Sequence, residues 1–240
     1  MIEYRIAVSL AMLIYASYLD LKSREVDDKP WIFFSLIGVS FSIIEFMVSG
    51  TVSDWFLALL SIGMTGPLAF VLYYLGFYGG ADAKALVTLS FILPVYRSPM
   101  YLHAFTPVTV LTNATVLVLA LPVYFLLRNS FSLIRGESIF SGFEEEPRWK
   151  KAAVLFLGYR LKNVKENDFY LPLEKTFDDG TRRFDLTLLK DEDEFLHGRD
   201  VWGTPGIPLL LFMTGGFIAM LLFGDFVAIF LNTLVSVLIL

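Results

Sequence analysis

Apolar residues in this chain come in long runs, not in the short alternations of a half-buried strand. A helix crossing about 30 Å of hydrocarbon needs roughly 20 apolar residues at about 1.5 Å each. Six runs approach that length: Ile2 to Leu19, Trp31 to Val48, Trp55 to Leu75, Ala83 to Tyr96, Val108 to Leu127 and Ile207 to Phe223. The pattern predicts a polytopic α-helical membrane protein with five spans in residues 1–128 and a sixth span with an apolar tail in residues 205–240. The fourth run is the shortest, as expected of a helix that starts below the membrane surface inside protein. The first run is not followed by an A-x-A cleavage site, so it is expected to stay in the mature chain.

Between the fifth and sixth runs the character changes. Residues 129–204 carry most of the acidic residues and most of the basic ones, which predicts a small soluble domain. Phe169, Leu171 and Leu173 alternate with less apolar positions, as do Phe184, Leu186 and Leu188, and Asp178-Asp179-Gly180 lies between. An antiparallel hairpin is the expectation, with Ala153 to Leu161 as a third strand. The Glu144 to Glu146 run before Pro147 reads as a solvated boundary.

Composition narrows the chemistry. Hydrophobic residues make up 56% of the 240 and charged residues 18%, too apolar for a soluble protein. There is no cysteine and there are two histidines, His103 and His197, which leaves carboxylates as the main reactive groups and no metal or cofactor signature. A net charge of -5 argues against nucleic acid as a partner. Lys22, Arg24, Lys29, Lys84 and the cations of the soluble segment fall on one side of the spans, with Arg5 and Arg97 on the other. The positive-inside rule then puts the N-terminus outside and the soluble domain in the cytoplasm.

Ionisable groups at membrane depth are costly, so each is a candidate for function. Glu3, Glu45, Asp54 and Asp225 fall near outer ends of spans, where they reach headgroup water. Asp20 ends the first span and Asp82 opens the fourth, so both belong to one membrane face whichever way the chain is oriented. Two carboxylates within hydrogen-bonding distance hold one proton between them and supply a base and an acid at one place, the arrangement of an aspartic protease. Gly79, Gly80 and Ala81 precede Asp82 and would let an extended substrate backbone come close. Capping of the fourth helix by Asp82 is the plain structural alternative. Gly63, Gly66 and Pro67 in the third span, and Pro205 and Pro208 before the sixth, are candidate hinges. Asn113 lies in a glycosylation sequon inside the fifth span, where its amide is expected to serve helix packing.

Asp20-Leu21-Lys22 after a first span, Gly79-Gly80-Ala81-Asp82 before a fourth, and a closing Gly224-Asp225 together resemble the GxGD membrane aspartyl proteases. Within these the likeness is to the prepilin peptidase group, which includes the archaeal preflagellin peptidases. The resemblance implies removal of a short basic leader from type IV pilin-like precursors, including preflagellins, with Asp20 and Asp82 as the catalytic pair. It also implies cleavage without the methyl transfer of bacterial relatives, whose cysteine-bearing loop is missing. Ala81 stands where the named motif has its second glycine. Glu25, Asp27 and Asp28 could steer a basic leader and Lys84 could tune the pair electrostatically, against the plainer readings of a charge-balanced loop and a headgroup anchor. A secondary transporter or ion pathway using membrane carboxylates is the alternative function. It calls for acids near mid-bilayer, and for repeats that this sequence lacks.

Overall fold

The computed structural model describes residues 1–49, 52–164, 169–177, 180–187 and 200–239. They form two compact units, one of Met1–Val118 with Pro208–Leu240 and one of Leu119–Ile207.

The first unit is helical: α1 (Ile2–Ser23), α2 (Asp28–Ser49), α3 (Val52–Tyr74), α4 (Gly80–Ile92), α5 (Thr106–Val118), α8 (Leu209–Leu222) and α9 (Phe226–Ile239). Its surface carries Phe33, Leu36, Phe56 and Phe70, each at least 60% exposed, as expected where lipid is the solvent. Among the described residues, four helical stretches are long and apolar enough to cross a membrane, Ile2–Ser23, Asp28–Val48, Trp55–Tyr74 and Thr106–Ile134. A fifth arises if the bent pair α8 and α9 counts as one span.

The fourth apolar run, Ala83 to Tyr96, is helix only as far as Ile92. α4 has 13 residues, about 20 Å, and stops at Ile92 because Leu93 precedes Pro94 and is driven out of helical geometry, to φ -137°. The rest of that run, with residues up to 105, folds into a small ladder in which Val95 pairs with Phe105 and Tyr96 N–H donates to Ala104 O at 2.8 Å. Around α4 lie Met12, Leu13, Leu86, Leu89, Leu210 and Phe217, all essentially buried. α2 approaches α4 closely at Gly38, where a Cβ would stand 2.6 Å from the Phe91 carbonyl group.

At the other end of the chain α8 gives way to α9 through a 53° bend. Gly224 sits at φ +100°, and a Cβ there would fall 2.3 Å from Met100 O, so only glycine fits this turn. Asp225 is 1% exposed and caps α9, its Oδ1 accepting from Val227 N at 2.8 Å and Ala228 N at 3.4 Å. It is a buried cap, not an acid reaching for headgroup water. Asn113 completes the joint: its Nδ2 donates to Gly224 O at 2.9 Å and Gly216 O at 3.3 Å, and its Oδ1 accepts from Phe226 N at 2.9 Å. The amide packs helices, as expected from its place in the fifth run.

The second unit holds α6 (Ala120–Ile134), α7 (Arg148–Leu157) and five short strands, β1 (Tyr159–Leu161), β2 (Tyr170–Pro172), β3 (Glu174–Thr176), β4 (Arg182–Phe184) and β5 (Val201–Pro205). The hairpin exists, but its partners differ from the alternating runs. β3 pairs with β4, while β2 joins β1 on either side of β5 in a separate antiparallel sheet. Leu173 separates β2 from β3, so one apolar run feeds two sheets. Asp178, Asp179 and Leu188 lie outside the described residues. Ala153 to Leu157 is helix, not strand, because Pro147 opens a turn and Val154 and Leu157 recur at helical spacing, with Gly158 ending it. Phe143 and Phe184 stack at 4.2 Å over Trp202, whose Nε1 donates to Ile139 O at 3.1 Å. Glu146, expected at a solvated boundary, is 8% exposed and accepts from Phe184 N at 3.3 Å.

Candidate functional site

The relative placement of the two candidate acids follows from the far ends of their helices. Arg5, in the first turn of α1, is 4% exposed and donates to Ile92 O at the C-terminus of α4 at 2.6 Å. It also reaches Ser42 Oγ at 3.2 Å and Glu45 Oε2 at 2.8 Å near the end of α2. The start of α1 therefore meets the ends of α2 and α4, and the antiparallel arrangement brings the end of α1 to the starts of α2 and α4. Asp20 lies in the last turn of α1, Asp28 begins α2 and Asp82 lies in the first turn of α4. At that shared end the charges of Asp20 and Arg24 both act on the Asp82 carboxyl. Lys84 pairs with Asp28 across α4 and α2.

Each acid has a local reason for its position. α1 ends where Arg24 turns left-handed, φ 56°, with its N–H on Asp20 O at 3.0 Å. Arg24 Nη1 then lies 3.9 Å from Asp20 Oδ2, a helical i,i+4 neighbour. On α4 the Asp82 Oδ2 accepts from Gly79 N at 3.0 Å, closing the first turn. Gly79 is thus the N-cap and Asp82 stands at N3, where accepting from the N-cap N–H fixes its carboxyl at the helix entrance.

Gly79 and Gly80 are not required by packing. A Cβ at Gly79 would meet Asp82 Oδ2 at 3.5 Å and one at Gly80 would meet Tyr73 at 3.6 Å, both ordinary contacts. Ala81 packs against the helical core. Glu25 and Asp27 are exposed in the short connection from α1 to α2. Next to Gly80 and Lys84 an open groove of about 630 Å³ runs between α2 and α3, with Trp31, Ala69 and Tyr73 among its walls. A second cavity, of about 440 Å³, surrounds Arg5 and Tyr96 at the opposite end of α1.

From the sequence alone Arg24 counts only among the cations that set the orientation, and Tyr78 has no role. Arg24 is four residues past Asp20, a spacing that itself signals contact on a helix. The Tyr78 hydroxyl feels the Asp82 charge and lies 3.5 Å from Ala69 O. Arg5, assigned only to the outer loop charge, is a buried clamp. His103 stacks on Phe105 at 5.6 Å in the connection before α5, and His197 lies outside the described residues.

The chain is 29% identical over 245 residues to a preflagellin peptidase of Methanococcus maripaludis, covering 96% of this chain and 99% of the relative. It is 27% identical over 250 residues to the preflagellin peptidase of Methanococcus voltae, covering 94% and 96%. The preflagellin peptidase of Methanocaldococcus jannaschii is 27% identical over 242 residues, covering 92% and 94%. Residues 7–127, half the chain and the part that contains Asp20, Gly79, Gly80 and Asp82, match the type IV leader peptidase family, and the chain belongs to that family.

Proposed function

We propose that the protein is an aspartic endopeptidase that removes the short basic leader from preflagellin and similar type IV pilin-like precursors at the cytoplasmic membrane face. The observation that carries this reading is that Asp20, in the last turn of α1, and Asp82, in the first turn of α4, fall at the same end of two antiparallel helices. Water between the two carboxyls loses a proton to the ionised one as its oxygen attacks the scissile carbonyl. The protonated partner donates to the developing oxyanion. Collapse of the tetrahedral intermediate returns a proton to the leaving nitrogen and breaks the C–N bond. Arg24 beside Asp20 holds positive charge at the pair, and Gly79 and Gly80, which packing does not require, keep the approach to Asp82 open for an extended peptide.

The acids at Glu25, Asp27 and Asp28 give the entrance a negative rim toward a basic leader, although Asp28 shares its charge with Lys84. The soluble unit lies on the cytoplasmic side and the N-terminus outside, as the distribution of Lys and Arg implies. The enzyme cleaves and does not methylate, since no cysteine-bearing loop accompanies the site. Incubation of the detergent-purified protein with a leader-bearing precursor, followed by gel shift and N-terminal sequencing, tests the assignment. Asp20→Asn and Asp82→Asn are each expected to lower the cleavage rate by about a thousandfold or more. Processing at the wild-type rate by either variant refutes the proposed pair.

A further inference from the structure

The second unit contains a cavity of about 780 Å³ with a charged lining. Arg128, Arg135, Arg160 and Lys162 face it, against the carboxylates Glu137 and Asp200. Both acids are engaged. Arg160 Nε donates to Asp200 Oδ1 at 2.6 Å, and Lys162 Nζ stands 3.4 Å from Glu137 Oε2. Arg128 and Arg135 have no acidic partner among the described residues.

Each of these two lies against an aromatic ring instead. The Arg128 guanidinium is 3.6 Å from the Tyr159 ring centroid, and that of Arg135 is 4.1 Å from the Phe131 centroid. A guanidinium held over a ring face keeps its positive charge and can still donate N–H groups to an anion. One of these groups on Arg128 reaches the Tyr124 hydroxyl at 3.3 Å. Burial, and then a 3.0 Å hydrogen bond with Tyr170, push the Tyr159 hydroxyl above its ordinary range, so the ring under Arg128 stays neutral.

Arg128, Ser132 and Arg135 are spaced i, i+4 and i+7 on α6 and its C-cap, which puts all three on one helix face, and all three line the cavity. The serine hydroxyl supplies a further donor between the guanidinium groups. α6 also closes the 29-residue stretch Thr106–Ile134, which is long and apolar enough to cross a membrane, and Arg128 and Arg135 stand at its polar end. Leu127, Phe131 and Ile134 are exposed beside the two arginines, with Ile134 at 83%. Apolar side chains interleaved with unpaired cations at the end of a span fit a ligand that is anionic at one end and hydrocarbon at the other. In a chain of net charge -5 this local positive excess is not a by-product of overall basicity.

We propose that Arg128, Ser132 and Arg135 form a binding site for a phosphoryl anion, supplied by the headgroup of an anionic lipid. The site is separate from the carboxylate pair and does not depend on its chemistry. The test uses the full chain in neutral detergent, with native mass spectrometry and titration to count and rank bound phosphatidylglycerol, phosphatidylcholine and inorganic phosphate. Wild-type protein is expected to hold phosphatidylglycerol at least tenfold more tightly than phosphatidylcholine. Arg128→Gln with Arg135→Gln is expected to lose that preference, with its thermal unfolding midpoint in neutral detergent unchanged. Displacement of phosphatidylglycerol by low-millimolar phosphate sustains the anion site and assigns it to soluble phosphate. Equal phosphatidylglycerol affinity in wild type and a folded double variant overturns the proposal. If the double glutamine variant does not fold, Arg128→Lys with Arg135→Lys keeps the charge but loses the planar edges. Undiminished affinity there overturns the proposal as well, because it removes the stacked guanidinium groups from the explanation.

Discussion

Replacing Arg5 by Met tests what holds α4 in place. The substitution keeps an apolar stem in the core and removes the guanidinium, and with it three hydrogen bonds of unequal weight. Glu45 is 47% exposed, so water takes over its solvation and the ion pair contributes about 1 kcal/mol or less. The Ser42 contact, at 3.2 Å, is longer and partly exposed. The Ile92 carbonyl belongs to a residue with no exposed surface at the C-terminus of a helix, where a charge-assisted hydrogen bond contributes about 1.5–3 kcal/mol. Release of a nearly buried cation returns part of its desolvation cost, which brings the expected net loss to about 2 kcal/mol, most of it at Ile92. A double-mutant cycle with Glu45→Gln separates the two partners. Unfolding in mixed micelles, followed by tryptophan fluorescence, should give a coupling energy below about 1 kcal/mol against the larger loss of Arg5→Met alone. A coupling energy equal to the whole Arg5→Met loss would refute the reasoning, since the ion pair and not the helix end would then be what Arg5 secures.

Other consequences can be measured independently. Phe184→Ala removes a ring stacked on Phe143 and packed edge-on to Trp202, and should destabilise the second unit by about 3–5 kcal/mol, read from the Trp202 fluorescence transition. Gly224→Ala places a methyl against the Met100 backbone at a positive φ and should lower the unfolding midpoint by several degrees, whereas Gly63→Ala, where the Cβ meets nothing, should not. The Arg160 hydrogen bonds hold the Asp200 carboxyl below its usual range, so its contribution is complete above the unfolded value near pH 4 and fades as pH falls through the lower folded value. With the side chain 53% exposed the effect is about 1 kcal/mol or less, and Asp200→Asn should flatten the acid limb of the stability profile of the second unit.

The sequence pointed to both acids of the proposed site because membrane carboxylates are rare and a count of crossings fixes which face they share. The early end of α4 was equally open to reading, since Pro94 forbids helix at Leu93, yet hydrophobicity alone carried the run to Tyr96. Pairings between distant segments were not readable in this way. Nothing local tells Arg5 to seek the end of α4, or Lys84 to seek Asp28, 56 residues away. In the second unit, alternation located apolar strands but not their partners, because three-residue strands have too few side chains to specify a register. Glu146 reads as surface in a run of three glutamates, and only the folded position of the Phe184 N–H explains its burial.

The joint at Asn113 also constrains the order in which the chain becomes a finished protein. Its amide is satisfied by Gly216, Gly224 and Phe226, more than a hundred residues further along, and the Met100 carbonyl, which accepts from Ser98 Oγ at 3.0 Å, also waits for Asp225 N–H at 2.7 Å. During synthesis α5 therefore exists with a polar side chain not fully matched in an apolar setting until α8 and the start of α9 have been made. The whole second unit is translated in the interval. A nascent chain stalled before α9 carries its incompletely paired amide as a mark of incompleteness, open to whatever inspects half-made proteins, and docking of α8 and the α9 entrance is the event that removes it.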